Sequence, residues 1–208
     1  MKQVYAILIC CIGFTAMGVN QAQAQLQKGN ILIGSDLMGM TFDFQKGNNT
    51  FNMSIDPKVA WFIQDNLAVG GMVNLGLNTG NGFTTFTYGI SALGRYYVAD
   101  KSVQLLKQSR FFLEGNVGFM GKNVHVSGLP DANTNGLGIG FGPGIAYFLN
   151  KNISLEGLLK YNLTVGFGSA TTHNQLAFGL GFQIYLPTKK AREIYNEVRG
   201  EGRRHHRK

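Results

Sequence analysis

Six charged residues, Asp56, Lys58, Arg95, Glu114, Glu156 and Lys160, sit inside stretches that otherwise read as strands. Carboxylates and cations gathered this way can act as acid–base pairs on a substrate. They can also pair with one another where water is excluded, since buried charges need partners. The second reading is the stronger: a structural charge cluster, with no catalytic residue among them. The histidines offer little more. His125, His173, His205 and His206 show no H-x-x-x-H or Cys/His ligand spacing, so no metal site is expected. His173 with Ser169 could form a hydrolase pair in one loop, but a polar loop histidine is the better account. The run from Gly136 to Gly144 contains a G-x-G-x-x-G-like spacing. A dinucleotide loop needs a strand before it and a helix after it. Here the glycines occupy one face of a strand, so no cofactor is expected.

The elements that must carry these residues follow a period of two, with turn chemistry between them. The segment from Ile153 shows it most clearly. Ile153, Leu155, Gly157, Leu159, Tyr161, Leu163 and Val165 alternate with Ser154, Glu156, Leu158, Lys160, Asn162, Thr164 and Gly166. A strand sends these two sets to opposite sides, whereas a helix would mix them. Seven further segments read similarly, giving about eight strands joined as a meander. The first, about Gly29 to Phe44, loses phase near Gly39, and Pro57 marks a bulge or weak pairing in the second. Tight turns are expected at Gln64–Asn66 and Asn150–Asn152, and a long polar loop from Lys122 to Thr134. The stretch from Ala99 to Arg110 is a misfit, too long for a turn and containing Val103, Leu105 and Leu106.

Composition points to a protein whose outside is not water. Hydrophobic residues make up 44% of the 208, charged residues only 14%, and there are 29 glycines. An average soluble domain carries roughly 25% charged residues. Residues 1–24 read as a secretory signal: Lys2, an apolar run from Val4 to Val19, then Ala22-Gln23-Ala24. The run is shorter than the roughly 20 residues of a spanning helix. Cys10 and Cys11 both lie in that segment, so the expected mature chain has neither a disulfide nor a thiolate. Ile9 before Cys10 argues against a lipoprotein.

Alternation alone permits a soluble barrel with an apolar inside or a membrane barrel with an apolar outside. Three features favour the membrane. The polar face is made of small residues, most plainly Gly138, Gly140, Gly142 and Gly144, as a crowded interior requires. The strand charges all share that face; on the lipid side a Lys or Arg would cost ~2–4 kcal/mol at the midplane. The aromatic residues fall into two rings at the strand ends. Trp61, Tyr96, Phe111, Tyr147 and Tyr185 form one, and Phe44, Phe51, Phe83, Phe119 and Phe167 the other. Such girdles mark the two membrane interfaces.

Over roughly Gly29 to Leu186 the chain therefore resembles the small outer-membrane β-barrel proteins of the porin-like, OmpA/OmpX-like type. The closing strand, Leu176 to Leu186 with Gly179, Phe182 and Ile184, looks like a barrel-assembly signal, although the chain continues past it. The expectation is all-β: an eight-stranded antiparallel up-and-down transmembrane barrel over 25–186, between a signal peptide at 1–24 and a basic tail at 187–208. The resemblance places the protein in a Gram-negative type outer membrane, with lipid as its surroundings and the end bearing Trp61 in the periplasm. The tail holds eight basic against three acidic residues, hence five of the chain's eight net positive charges. Ala191, Ile194, Tyr195 and Val198 give it a short helical stripe. It could touch anionic headgroups, peptidoglycan or a periplasmic partner; an exported chain excludes nucleic acid. The expected role is structural or surface-interacting and non-enzymatic, with side chains filling the lumen. A narrow porin-like channel ranks second and a lipid-modifying outer-membrane enzyme third, ahead of a soluble secreted barrel.

Overall fold

A computed structural model of the chain describes residues 26–45, 48–99, 108–166 and 172–188. The expected signal segment, the tail beyond Thr188, Val103, Leu105, Leu106, Phe167 and Ser169 lie outside the described residues. Among the described residues eight strands follow one another: β1 (Asn30–Gln45), β2 (Asn48–Gln64), β3 (Leu67–Gly80), β4 (Phe83–Tyr97), β5 (Ser109–Val126), β6 (Ala132–Phe148), β7 (Ile153–Gly166) and β8 (His173–Pro187). Each pairs antiparallel with its sequence neighbour, and β8 returns to β1, closing the barrel.

The alternation decides which side chains enter the lumen. On β7, Ser154, Glu156, Leu158 and Lys160 are buried, while Leu155 and Leu159 face outward at 48% and 44% exposure. The outer wall carries Ile90, Leu113, Phe141, Leu176, Phe178 and Leu180, all more than half exposed. The glycines make room inside. A Cβ at Gly140 would meet Asn116, Asn162 and Lys160; one at Gly181 would meet Asp36; one at Gly144 would enter the Phe112 ring. Small residues on the lumen face are thus the counterpart of the large charged and aromatic ones opposite them.

The strands run to 14–18 residues, well beyond the roughly 9–11 that a tilted strand needs to cross a bilayer. The expected long loop from Lys122 to Thr134 is mostly hairpin, with only Ser127–Asp131 between β5 and β6. Thr, Val and Asn continue the ladder there, through Thr85↔Val124 and Asn123↔Asn133. β-branched residues hold extended backbone whether or not they are apolar. At the opposite end Asp65 and Asn66 close a two-residue turn, with Asn66 at φ 66°. Asn66 tolerates that left-handed conformation where most residues would not.

No bulge forms at Pro57. It pairs with Ser35 of β1, and the β2–β3 register is the same on both sides of it; that ladder only omits rungs at Asp56 and Pro57. Pro143 behaves alike, pairing with Leu113 while the β6–β7 ladder omits Gly142 and Pro143. Each proline turns its missing N–H toward the omitted rung. The bulge lies in β1 instead, between Leu37 and Met40, where Gly39 takes φ 86°. This is the phase slip that the sequence shows at Gly39.

Candidate functional site

All six charged residues singled out in the sequence meet in the lumen, with Asp36 of β1 as a seventh. Glu114 of β5 is the hub. It accepts from Lys58 Nζ at 2.8 and 3.0 Å and from Arg95 Nε at 2.9 Å and Nη2 at 2.5 Å, while Lys160 Nζ stands 3.5 Å away. Lys58 reaches across to Asp36 at 2.5 Å. Arg95 Nη1 donates to Glu156 at 2.6 Å and to the Tyr97 hydroxyl at 3.0 Å. Gln183 donates to Asp36 at 2.9 Å, and Asn74 to Asp56 at 2.9 Å. The side chains of Lys58, Arg95 and Glu114 have no exposed surface. Charges so far from water persist because each is paired and hydrogen-bonded.

Toward the end bearing the Asp65–Asn66 turn, the network rests on aromatic rings. Tyr97, Phe62, Phe112, Phe148 and Tyr185 are all buried, with Phe148 and Tyr185 centred 5.3 Å apart and Tyr97 and Phe112 5.6 Å apart. The Arg95 guanidinium lies 4.2 Å from the Phe112 centroid, a cation–π contact in a dry setting. Tyr185 donates to Glu156 at 2.9 Å and shares a 2.8 Å hydrogen bond with Tyr97. Leu26, ahead of β1, is buried against the same cluster, and its carbonyl accepts from Asn66 N–H at 2.7 Å. Ion network and rings together fill this half of the lumen. The other half is open. Inward-facing Asn74, Asn116 and Asn162 are partly accessible, and Asn52, Asn78, Lys122 and Gln175 beyond them are exposed.

Two residues expected in the outer girdles belong elsewhere. Tyr185 is 1% exposed and points into the lumen, because odd-numbered β8 residues share the Gln183 face. Phe83 has the inward parity of Ser91 and Arg95, and its ring meets the position of a Cβ on Gly80. Trp61, Tyr96 and Tyr147 face outward at 48%, 46% and 36% exposure, and Phe111 is half-buried on the same face. Phe51 is half-buried with outward parity, and Phe119 is 65% exposed but lies mid-strand, since β5 runs on to Val126. Phe44 stands opposite Asn49 in the β1–β2 ladder. Sequence reasoning placed Ser154 and Gln183 on the inward face without naming them as partners of the charges, and it missed Asp36 and Tyr97. Tyr97 was legible, being one step out of phase with outward Tyr96. Asp36 was not, because the Gly39 bulge blurs the alternation around it. His173 opens β8 exposed and opposite Thr164, and His125 pairs with Asp131 at 2.6 Å at the β5–β6 tip. Among the described residues no group of three metal-ligating side chains forms.

No family model and no curated protein matches the sequence. Solved structures do match in shape. Neisserial surface protein A aligns over 76% of this chain and 96% of its own, with 15% identity and a TM-score of 0.50. This chain has the OmpA/OmpX-like barrel fold. The attachment invasion locus protein Ail of Yersinia pestis also aligns, over 77% of this chain and all of its own, at 11% identity and TM-score 0.47. The N-terminal barrel of Pseudomonas aeruginosa OprF covers 76% of this chain and 98% of its own, at 12% identity and TM-score 0.46. At 15% identity the match to Neisserial surface protein A carries the shared fold and no residue roles.

Proposed function

We propose that this is an integral outer-membrane protein with a structural or surface-interacting role, whose lumen is a plug and not a channel. The observation that carries this reading is the sealed half of the barrel. Seven paired charges and five buried aromatic side chains packed against one another occupy the space a solute would cross. The apolar outer wall supports burial in lipid, where backbone polar groups must be satisfied internally and a closed barrel does so. The Asn/Thr-rich strand extensions then stand outside the cell as the surface available to partners. The expected signal at 1–24 accounts for export, and the basic tail at 187–208 leaves the barrel on the periplasmic side, where peptidoglycan, anionic headgroups or a periplasmic partner are within reach. We read the protein as non-enzymatic.

Cysteine labelling on intact cells tests the placement. The expected mature chain has no cysteine. Leu129→Cys, at the tip between β5 and β6, should react with a membrane-impermeant maleimide. Asp65→Cys, at the opposite end, should react only after permeabilisation. Equal labelling of both on intact cells, or recovery of the protein in the soluble periplasmic extract, overturns the proposal.

A further inference from the structure

The β1–β8 ladder is short. It runs from Asn30↔Pro187 to Leu37↔Leu180 and stops. Both strands continue: β1 stays paired with β2 to Gln45↔Asn48, and β8 with β7 to Thr164↔His173. Above Leu37 and Leu180 no further β1–β8 rung forms among the described residues, and each strand there has one edge outside any ladder. The cause sits at the fork. One extra β1 residue lies between Leu37↔Ile55 and Met40↔Met53, with Gly39 at φ 86° and open space around it. A bulge bends and twists its strand, and the β1–β8 ladder ends beside this one. Met38 occupies the crotch, its sulfur where a Cβ on Gly179 would be.

The fork opens at the depth of the apolar wall. Beyond it, Phe178 and Leu176 face outward at 61% and 69% exposure, and Met40 at 50%. Open sheet edges do not persist against hydrocarbon; they are tolerated where they border a water-filled cavity. The lumen supplies that cavity, since the inward-facing Ala177 is partly accessible and Gln175 exposed. The opening thus joins an apolar exterior to a polar vestibule, whose floor is the ion network and whose rim carries Lys122, His173, Asn174 and Gln175. An amphipathic molecule matches both sides.

We propose that the outer half of the β1–β8 seam is a lateral opening through which an acyl chain of a surrounding membrane lipid enters the vestibule. This rests on the membrane placement proposed above. The headgroup stays at the polar rim, and the chain lies against Met38, Ala177 and Met120.

The test uses the membrane-inserted protein in phosphatidylglycerol vesicles that contain a fatty acid with a diazirine near its methyl end. After illumination, adducts are mapped by mass spectrometry. Outward-facing Ile90 and Phe141 report contact with lipid, and inward-facing Met38, Ala177 and Met120 report entry. Two variants close the seam. Deleting Gly39 removes the bulge and keeps Met40 on the outward face. Met38→Cys with Gly179→Cys places a reducible staple at the fork. The expected result is labelling of both sets in the unmodified protein. Inward labelling is lost in the deletion variant and in the oxidised pair, and returns on reduction, while outward labelling is unchanged. Should one variant fail to insert, the other still decides. Inward labelling that is absent from the start, or indifferent to closure, overturns the proposal, as does a dimer cross-linked through the two open edges. Absence of outward labelling would instead show that the membrane placement itself is wrong.

Discussion

Arg95→Met is the most informative single perturbation of the plug. The guanidinium joins the two halves of the network, donating to Glu114 at 2.5 and 2.9 Å and to Glu156 at 2.6 Å. Methionine keeps much of the volume and removes every donor. A hydrogen bond to a charged group contributes about 1.5–3 kcal/mol net. One such bond to each carboxylate gives about 3–6 kcal/mol, and breaking a buried pair by deleting one partner typically costs about 3–5 kcal/mol. The expected loss is therefore about 3–5 kcal/mol, most of it from Glu156, which retains only hydroxyl donors from Ser154 and Tyr185. Adding Glu156→Gln should return part of it, a coupling of at least about 1 kcal/mol between the sites. The assay is urea unfolding in phospholipid vesicles, followed by the fluorescence of Trp61, the only tryptophan in the sequence. A single-variant loss below about 1 kcal/mol is what screened, water-exposed pairs show, and would refute a dry plug.

Two further perturbations test the walls. Gly142→Ala puts a Cβ 1.9 Å from the Leu159 carbonyl oxygen, which is backbone and cannot rotate away. It should cost about 1–3 kcal/mol or block folding, whereas Gly115→Ala, with nothing nearer than 3.8 Å, should leave the urea midpoint unchanged. Leu180→Lys puts a charge on the proposed lipid face and should destabilise the vesicle-inserted barrel by ~2–4 kcal/mol, while Leu129→Lys at the hairpin tip should be silent in the same titration.

Much of the barrel is legible in the sequence because a strand's two faces differ every second residue. That rule puts Glu114, Glu156 and Lys160 on one side and the large aliphatic residues on the other, and Gly138 to Gly144 reveal which side is crowded. It fails where phase is interrupted. Asp36 binds Lys58, yet it lies just before the phase slip at Gly39, around which alternation no longer tells which side a residue faces. Tyr185 shows a different weakness. Grouped by its place at a strand end it reads as an interfacial aromatic; read by parity it joins Gln183 inside, where its hydroxyl meets Glu156. Strand ends were misjudged because Asn and Thr look like loop residues, although extended hairpins above the barrel use them as rungs, as in Thr79↔Thr84. The short β1–β8 ladder was out of reach, since it depends on how far two strands whose partners lie 143–157 residues apart stay together.

The central claim is that ion pairs and aromatic rings seal the lumen. Single-channel recording of the refolded chain in a planar bilayer tests it most directly. A heat-modifiable gel shift should first show that the barrel is folded. The account predicts no discrete conductance steps from that folded protein. Reproducible steps would mean a water path past Arg95, Glu114 and Tyr97, and would contradict the plug.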